Sequence, residues 1–308
     1  MVSLRVHGGP DASGPALHDF STNANACGPC PAALEAVQGA DASRYPDPAY
    51  TRLREGLAAF HRVAAERIVI AASASEFIFR ATAWAARQGW RAIHWPRPGY
   101  GDYAAAAAAH GLQREEGAPF AWACEPSSPL GTQDDLATTQ GVVAVDLAYE
   151  PLRLSGRPSD WSGCWQLWSP NKALGLTGVR AAYAVVPAGV APELEALAPS
   201  WPVGAHGVAL LQAWCEPQVQ AWLAASHETL REWKARQVAL CEGLGWTVLP
   251  SQANFFVCQA GPDLRVAAEK LRDAGIRLRD CTSFGLPGHV RLSVQPPASQ
   301  DALRKALA

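Results

Sequence analysis

The sequence lacks the features that would place the protein in a membrane, outside the cell or on nucleic acid. No apolar run in its 308 residues is long enough to span a bilayer. Its first residues lack the positively charged and then apolar order of a signal peptide. The formal net charge is only -2, so electrostatics give no reason to expect binding to nucleic acid or to an anionic membrane. These absences predict a cytoplasmic globular protein, and a hydrophobic content of 49% predicts a sizeable core.

Metal-type cysteine pairs and internal repeats are missing as well. The eight cysteines are scattered, which favours reduced thiols, and no second CxxC unit completes a metal site. The CxxC from Cys27 to Cys30 has the spacing of a thioredoxin-like redox centre, but such a centre follows a buried strand, whereas residues 21–26 are polar. We therefore interpret residues 27–30 as a loop that contains two cysteines, with a redox centre as the alternative. We expect no bound metal.

The order of strand-like and helix-like segments predicts two domains. Up to about residue 200, buried strands alternate with helices, which is the pattern of a doubly wound α/β domain. From residue 204 a long helical region comes first and short strands follow, which predicts a smaller α+β unit. We expect an N-terminal arm over 1–30, a large domain over 31–203 and a small domain over 204–308.

Hydrophobic periodicity and the positions of glycine and proline predict the individual elements. The expected strands are 67–70, 92–95, 142–146, 165–168, 181–186, 246–249, 254–257 and 289–294. The expected helices are 31–38, 50–61, 77–86, 104–109, most of 205–245, 263–274 and 299–307. Residues 117–133 are expected to be mainly loop.

The most informative stretch is a lysine turn that follows the expected strand 165–168. Lys172 lies three residues after Ser169 and eight before Arg180, with two glycines between Lys172 and Arg180. A lysine amine forms an imine with an aldehyde, and a serine hydroxyl together with an arginine suits a phosphate dianion. Pyridoxal 5'-phosphate (PLP) carries both groups. The turn therefore predicts a PLP site, and the alternative is an exposed lysine in a glycine-rich turn.

Three other positions supply what PLP chemistry requires. Asp146 ends a buried strand, where ligands meet open α/β sheets, and would keep the ring nitrogen protonated. Tyr149, three residues later, would hydrogen-bond the O3' oxygen, and Tyr100 would stack on the pyridine ring. The structural alternatives are that Asp146 caps the next segment and that Tyr149 packs in the core.

Two further features would bind anions. The strand-to-helix turn at Ser73, Ala74 and Ser75 would hold the cofactor phosphate, because free backbone N–H groups converge at a helix N-terminus. Plain helix capping by Ser73 or Ser75 is the alternative. Arg291, on an expected strand of the small domain, would bind a substrate carboxylate through its two-pronged guanidinium group.

Together these residues resemble the fold-type I PLP enzymes of the class I/II aminotransferase superfamily. Asp146 and Tyr149 match that family's D-x-x-Y motif, and the serine, lysine and arginine of the lysine turn match its lysine motif. The segment 44–48 (RYPDP) is similar to histidinol-phosphate aminotransferases and to threonine-phosphate decarboxylases. The resemblance covers essentially the whole chain and implies an aspartate aminotransferase-like fold, with a large doubly wound domain and a smaller α+β C-terminal domain.

The N-terminus resembles the threonine-phosphate decarboxylases of cobalamin biosynthesis in particular. The letters HGG at 7–9, followed by DFSTNANACGP at 19–29, are similar to that family's opening. The resemblance implies PLP-dependent decarboxylation of L-threonine O-3-phosphate to (R)-1-amino-2-propanol O-2-phosphate. It implies that the substrate phosphate lies near His7 and Arg279. The full set of implied substrate contacts is His7, Gly8, Asn25, Arg279 and Arg291.

The same resemblance implies further cofactor contacts and a homodimer with shared active sites. Ser128 stands where the family has an asparagine that hydrogen-bonds O3', and residues 71–73 lack the glycines of the family's phosphate turn. Tyr45 would reach the cofactor phosphate of the neighbouring subunit.

Two other functions remain open from the sequence. An aminotransferase of the histidinol-phosphate type would share every PLP residue, and dependence on a keto acid distinguishes it. A non-catalytic protein of the PLP fold, acting as a partner in corrin synthesis, is the other alternative. A yellow purified protein would count against the non-catalytic function.

Overall fold

The computed structural model describes residues 7–12, 14–134, 141–260 and 264–307. The strands are β1 His18–Asp19, β2 Ile68–Ala71, β3 Ala92–Ile93, β4 Gln113–Arg114, β5 Phe120–Cys124, β6 Val142–Asp146, β7 Trp165–Trp168, β8 Ala182–Val185, β9 Thr247–Val248, β10 Phe255–Gln259, β11 Ile276–Arg277, β12 Arg279–Asp280 and β13 His289–Ser293. The helices are α1 Pro31–Gln38, α2 Thr51–His61, α3 Ala74–Arg87, α4 Gly101–Ala109, α5 Ala191–Glu195, α6 Ala205–Trp214, α7 Pro217–Gly243, α8 Leu264–Asp273 and α9 Pro297–Leu307.

The larger sheet has five strands in the order β2-β8-β7-β6-β5. Strands β5, β6 and β7 are mutually parallel, and β8 is antiparallel to both β7 and β2. An isolated parallel bridge from His94 to Ala121 connects β5 to the short pair β3 and β4. Helix α4 connects the parallel strands β3 and β4, and α3, α4 and α5 pack against the larger sheet.

Helices cover both faces of this sheet because its strands are apolar on both faces. Ile68, Ile70 and Tyr183 belong to a buried cluster with α1, α2 and α6. The alternate residues Val69 and Ala71 belong to a second cluster with α3, α4 and α5. A strand whose two faces are both covered in this way reads as a continuous apolar run. The predicted doubly wound sheet is therefore present.

A four-stranded antiparallel sheet, in the order β12-β13-β10-β9, lies in the C-terminal part of the chain. The N-terminal arm contacts this part, since β1 pairs in parallel with β11 and Phe20 is fully buried beside Phe256 and Leu292. Helices α7 and α9 contribute to the same cluster. The domain bounds at 30/31 and 203/204 stay a prediction.

Most predicted elements are present with bounds that differ by a few residues. Helix α3 begins three residues before the expected start at 77, because Ser73 caps it by accepting a hydrogen bond from the Glu76 N–H. The expected helical region 205–245 is two helices, and Pro217 starts the second one. The expected helix start at residue 263 lies outside the described residues.

The region 117–133 is mainly loop as expected, but it also contains β5 at residues 120–124, a strand that was not predicted. All five of its residues are buried. The strand is only five residues long and stands between prolines at 119 and 126, and these turn signals outweighed its apolar character in the prediction. The short strands β1 and β4 were also not expected.

Among the described residues, no helix is both long enough and apolar enough to cross a membrane.

Candidate active site

The functional side chains meet at one edge of the five-stranded sheet. Parallel strands present their carboxyl ends at the same edge, so residues that follow β2, β5, β6 and β7 converge there. Asp146 is the last residue of β6, and Ser169 follows β7 directly. Since β8 runs in the opposite direction, its beginning lies at this edge, and Arg180 precedes it by two residues.

A cavity of about 800 Å³ opens at this edge, between the sheet, the arm and the C-terminal sheet. Thirteen predicted site residues line it, namely Lys172, Asp146, Tyr149, Ala74, Ser75, Tyr100, Ser128, Ser169, Arg180, His7, Gly8, Arg279 and Arg291. Ser73, Tyr45 and Asn25 do not line it. The volume is in the range of small-molecule sites.

Asp146 lies at the bottom of the cavity as a buried carboxylate. Its Oδ2 accepts a hydrogen bond from the Tyr103 hydroxyl at 2.9 Å, and its Oδ1 accepts one from the Ala148 N–H at 3.0 Å. Burial raises the pKa of Asp146, while the positive charge of Lys172 and these two donors act in the opposite direction. Both oxygens therefore face donors that favour the ionised form.

The Lys172 amine lies 4.9 Å from the centre of the Tyr149 ring, which makes a cation–π contact. The arm holds the backbone of the lysine turn, because the Asn25 N–H donates to the Lys172 carbonyl at 2.9 Å. Gly175 has a φ of +68°, and a Cβ there would lie 2.6 Å from the Gly28 carbonyl oxygen. This position needs glycine, both for its backbone conformation and for the close approach of the arm.

The close approach gives the CxxC segment a structural role. The Cys30 N–H donates to the Leu174 carbonyl at 2.9 Å, so the segment supports the lysine turn from outside the cavity. Both cysteines are free thiols, and burial raises the pKa of Cys27, which disfavours a reactive thiolate. These observations favour the interpretation of residues 27–30 as a loop.

The predicted phosphate turn forms without glycine. The Glu76 carboxylate accepts the Ala72 N–H at 3.0 Å, and the Ser73 hydroxyl caps α3. Ser73 has extended backbone dihedrals, which any residue adopts. The Ser73 side chain is thus committed to the helix cap and does not line the cavity, in contrast to the expected cofactor contact. Ala74 and Ser75 line the cavity at the start of α3, where N–H groups are free to bind an anion.

The other predicted phosphate residues flank this turn. The Ser75 hydroxyl is 3.0 Å from the Tyr100 hydroxyl, and the Ser169 hydroxyl donates to Asn171 Oδ1 at 3.0 Å. Ser169 has one hydroxyl proton, so it must rotate to donate to a phosphate. Arg180 is exposed at the rim of the cavity.

Ser128 contacts a different partner from the one expected. Its hydroxyl oxygen accepts a hydrogen bond from Arg291 Nη1 at 3.1 Å. The side chain is shorter than the asparagine of the resembling family, and here it joins the predicted carboxylate-binding arginine to the wall of the sheet. The Ser128 hydroxyl proton remains available to donate, so the expected contact with O3' stays a prediction.

Two buried arginines lie side by side on the opposite wall. Arg279 and Arg291 are directly opposite each other on β12 and β13, and they are only 5% and 6% exposed. The charge of Arg291 and burial both lower the pKa of Arg279, with burial as the larger cause. The Phe284 ring lies 4.7 Å from one guanidinium group and 5.7 Å from the other. Like charges in directly opposite positions destabilise a sheet, so this wall is suited to anions.

Each arginine also bonds neutral groups. Arg279 Nη2 donates to the Ser283 hydroxyl at 2.8 Å, and Arg291 Nη2 donates to the Ser21 carbonyl at 3.2 Å. Arg291 Nε is buried and has no hydrogen-bond partner within the described part of the chain. Nor does Arg291 form an ion pair with any carboxylate described in the structure.

The arm closes the cavity with His7, Gly8 and residues 21–23. The ring of His7 lies 6.0 Å from that of Tyr100. A Cβ on Gly8 would lie 2.1 Å from the Ser21 carbonyl oxygen. Only glycine therefore allows these two segments of the arm to approach this closely.

Asn23, rather than the expected Asn25, is among the residues that line the cavity. Asn25 is buried elsewhere, where its amide donates to the Ala173 carbonyl at 3.1 Å and to the Ser226 hydroxyl at 2.8 Å. Both polar atoms of the Asn23 side chain are buried, and neither has a partner among the residues that the structure describes. Buried amides without partners are costly, and this one belongs to a residue that lines the cavity.

Asn23, Phe284 and Tyr103 were missed from the sequence. Asn23 could have been found, because the buried Phe20 fixes which arm residues face inward. Phe284 and Tyr103 had no local signal, since an aromatic residue near a turn or in a helix is most often core.

Tyr45 lies outside the cavity of its own chain. It is 79% exposed and stacks on Trp201, with ring centres 4.6 Å apart. Trp201 itself donates through Nε1 to the Pro46 carbonyl at 3.0 Å.

Comparison with known proteins identifies the family. The sequence profile of "Aminotransferase class I and II" matches residues 114–308, which is well over half of the chain. The chain belongs to the class I and II aminotransferase family. It is 27% identical to the histidinol-phosphate aminotransferase of Symbiobacterium thermophilum, over 94% of this chain and 91% of that protein. As a member of this family, the protein is a PLP-dependent enzyme of fold type I. The alternative of a non-catalytic protein with the PLP fold is therefore not supported.

Solved structures share the fold. The histidinol-phosphate aminotransferase of Sinorhizobium meliloti in complex with pyridoxal-5'-phosphate superposes with a TM-score of 0.79 at 22% identity, over 92% of this chain and 88% of that one. The L-threonine-O-3-phosphate decarboxylase of Porphyromonas gingivalis gives a TM-score of 0.79 at 20% identity, over 94% of this chain and 97% of that one. These likenesses confirm the predicted fold class.

The cavity fits PLP, the cofactor of this class I and II aminotransferase family. It combines a lysine amine, a buried carboxylate with donors on both oxygens, and a helix N-terminus beside an arginine. These groups match the aldehyde, the ring nitrogen and the phosphate of PLP in turn.

We expect Lys172 to be the lysine that binds PLP covalently, because it is the one of the sequence's four lysines that lines the cavity. Borohydride reduction followed by peptide mapping should place the label on Lys172, and Lys172→Ala should abolish it. Lys234 is the informative control, since burial lowers its pKa to about 8 but its amine donates to the Ser251 and Ala253 carbonyls. A label on Lys234 would refute the assignment.

The two arm asparagines should respond differently to alanine. Asn25→Ala removes three hydrogen bonds and should lower the free energy of unfolding by about 2–3 kcal/mol. Asn23→Ala removes no side-chain bond and should leave the unfolding midpoint in urea nearly unchanged, but it should raise the KM for the amino-acid substrate roughly 3- to 10-fold. An unchanged KM for Asn23→Ala would show that this amide does not bind the substrate.

Proposed function

We propose that the enzyme decarboxylates a phosphorylated amino acid, L-threonine O-3-phosphate, to (R)-1-amino-2-propanol O-2-phosphate. The observation that carries the proposal is the pair of buried arginines opposite each other on one cavity wall. A substrate with two separate anionic groups, a carboxylate and a phosphate, satisfies both. His7 and Gly8 of the arm line the same cavity. This position supports the resemblance of the N-terminus to the decarboxylases.

The chemistry that PLP supplies when bound is an electron sink for a bond that breaks at the Cα of an amino acid. Lys172 would hold the cofactor, and Ser75, Ser169 and Arg180 would hold its phosphate. The Asp146 carboxylate would hold a proton on the ring nitrogen. Once its amine is released, Lys172 would donate a proton to Cα, which replaces the lost carbon dioxide and balances the reaction.

Arg291 is suited to orienting a carboxylate that must leave. A guanidinium group that binds the carboxylate too tightly stabilises the ground state and opposes its loss. Arg291 already donates to Ser128 and to the Ser21 carbonyl, so part of its donor capacity is used before a substrate binds. Arg279, together with His7, would bind the phosphate, and binding energy from this remote group would support the chemistry at Cα.

A second candidate is an aminotransferase of the histidinol-phosphate type. The curated relatives favour it, since the similar proteins from Symbiobacterium thermophilum and Halorubrum lacusprofundi are both histidinol-phosphate aminotransferases. The same cavity would hold PLP and one phosphate, and the outcome depends on whether the carboxylate or the proton leaves Cα.

Product analysis distinguishes the two candidates. The holoenzyme is mixed with L-threonine O-3-phosphate, without any keto acid, and carbon dioxide and the phosphorylated amine are measured. We expect stoichiometric release of both. A second reaction contains histidinol phosphate and 2-oxoglutarate. Transfer of the amino group in that reaction, with no carbon dioxide in the first, would establish the aminotransferase and refute our proposal.

Arg279→Ala should act on the phosphate end of the substrate alone. We expect a loss of about 2–4 kcal/mol of transition-state stabilisation toward L-threonine O-3-phosphate, measured as kcat/KM, and little change toward plain threonine. Arg277→Ala is the matched control, because Arg277 lies two residues away and pairs with Asp11 instead of lining the cavity. Equal losses on both substrates would mean that Arg279 does not bind the phosphate.

We further propose a homodimer in which Tyr45 contributes to the partner's active site. The motivation is its exposed ring, which stacks on Trp201 away from its own cavity. Lys172→Ala and Tyr45→Phe chains should each be weakly active or inactive, and their mixture should recover activity after subunit exchange, because one site of the heterodimer is then intact. A mixture that forms heterodimers without any recovery would refute the shared site.

A further inference from the structure

Tyr103 lies directly behind Asp146 and does not line the cavity. It is fully buried on α4, and its hydroxyl donates to Asp146 Oδ2 at 2.9 Å. Its ring stacks on Trp122, with centres 5.4 Å apart and planes 20° apart, and meets the Tyr100 ring edge to face at 5.9 Å. The side chain is therefore fixed on three sides. Its ring packing sets the hydroxyl against the carboxylate.

We propose that Tyr103 is a positioning residue that keeps Asp146 ionised and aimed into the cavity, so that the cofactor's ring nitrogen stays protonated. The inference rests on the assignment of Asp146 to that nitrogen. It does not depend on whether the enzyme decarboxylates or transfers an amino group.

The physical argument begins with the cost of a buried charge. Asp146 is 4% exposed, and a carboxylate in such surroundings tends to take up a proton unless donors and positive charges compensate. A phenol hydroxyl that donates to Oδ2 stabilises the ionised carboxylate, and the Ala148 N–H does the same at Oδ1. Each carboxylate oxygen can accept a further hydrogen bond, so these contacts leave room for a donor from the cofactor.

The other groups that face Asp146 do not replace Tyr103. Lys172 supplies a positive charge, but in the family this amine is consumed when the cofactor binds. Asp102 on α4 is a second buried acid and raises the pKa of Asp146. Cys124 lies opposite Asp146 in the sheet register, but its thiol is a weak donor and donates to the Pro126 carbonyl. Burial raises the pKa of the Tyr103 hydroxyl far above its usual range, so it stays protonated and able to donate.

The test compares two single hydroxyl deletions in the holoenzyme. Tyr103→Phe removes the donor to Asp146. Tyr183→Phe removes an equally buried hydroxyl that bonds His61 and Trp214 and does not line the cavity. Two readouts are used: the dissociation constant of PLP, and the pH at which the visible absorption of bound PLP changes.

For Tyr103→Phe we expect PLP to bind roughly 10- to 100-fold more weakly, which is the range for one hydrogen bond to a charged group. The absorption change should move to higher pH, because a ring nitrogen that is protonated less often withdraws fewer electrons from the lysine linkage. For Tyr183→Phe both readouts should stay as in the unmodified enzyme, even if its unfolding midpoint falls.

A double-mutant comparison separates the charge effect from packing. In an Asp146→Asn background, Tyr103→Phe should cause little further change in either readout, because the interaction it removes no longer involves a charge. An undiminished effect in that background would overturn the inference, as would an unchanged PLP affinity and absorption profile for the single variant. Failure of the decarboxylation assay would leave both readouts intact, so the two proposals can fail separately.

Discussion

The site depends on a negative charge held at the end of a buried strand. Asp146 is almost entirely buried, so the surrounding chain must supply its donors and its countercharge. The Ala148 N–H, the Tyr103 hydroxyl and the Lys172 amine come from the loop after β6, from α4 and from the turn after β7. The requirement to stabilise one carboxylate thus fixes the relative positions of three segments that are far apart in sequence.

The residues at the carboxyl edge of the five-stranded sheet were predicted well from the sequence, because the sequence patterns that indicate them are local. An apolar strand that ends in an acid, and a strand that leads into a lysine turn, both place side chains at the carboxyl end of a parallel sheet whatever the rest of the fold does. Strand β5 was missed although its end, Cys124, faces Asp146 across the sheet. Its register with β6 depends on pairing between distant segments, which residue composition over 120–124 does not reveal.

The hydrogen-bond partner of each polar side chain was harder to predict than the position of that side chain in the fold. Ser73, Ser128 and Asn25 are all able to bind a ligand, but each has a protein partner that the sequence cannot show: the Glu76 N–H, the Arg291 guanidinium group and the Ala173 carbonyl. Asn23 has the opposite pattern, with a buried side chain and no partner in the described structure. Residue type therefore indicates what a side chain is able to bind, and tertiary contacts decide whether that capacity is left for the ligand.

The paired arginines connect the fold to the choice of substrate. Arg279 and Arg291 stand directly opposite each other, an arrangement of like charges that is unfavourable in a sheet, and the Phe284 ring and neutral oxygens contact the two guanidinium groups. A ligand with one anionic group would place a negative charge beside one guanidinium group, whereas a ligand with two would place one beside each. If the substrate is a phosphorylated amino acid, as we propose, part of the selectivity for it comes from its having one anionic group for each of these two guanidinium groups. Discrimination against the unphosphorylated amino acid then begins before any bond at Cα breaks.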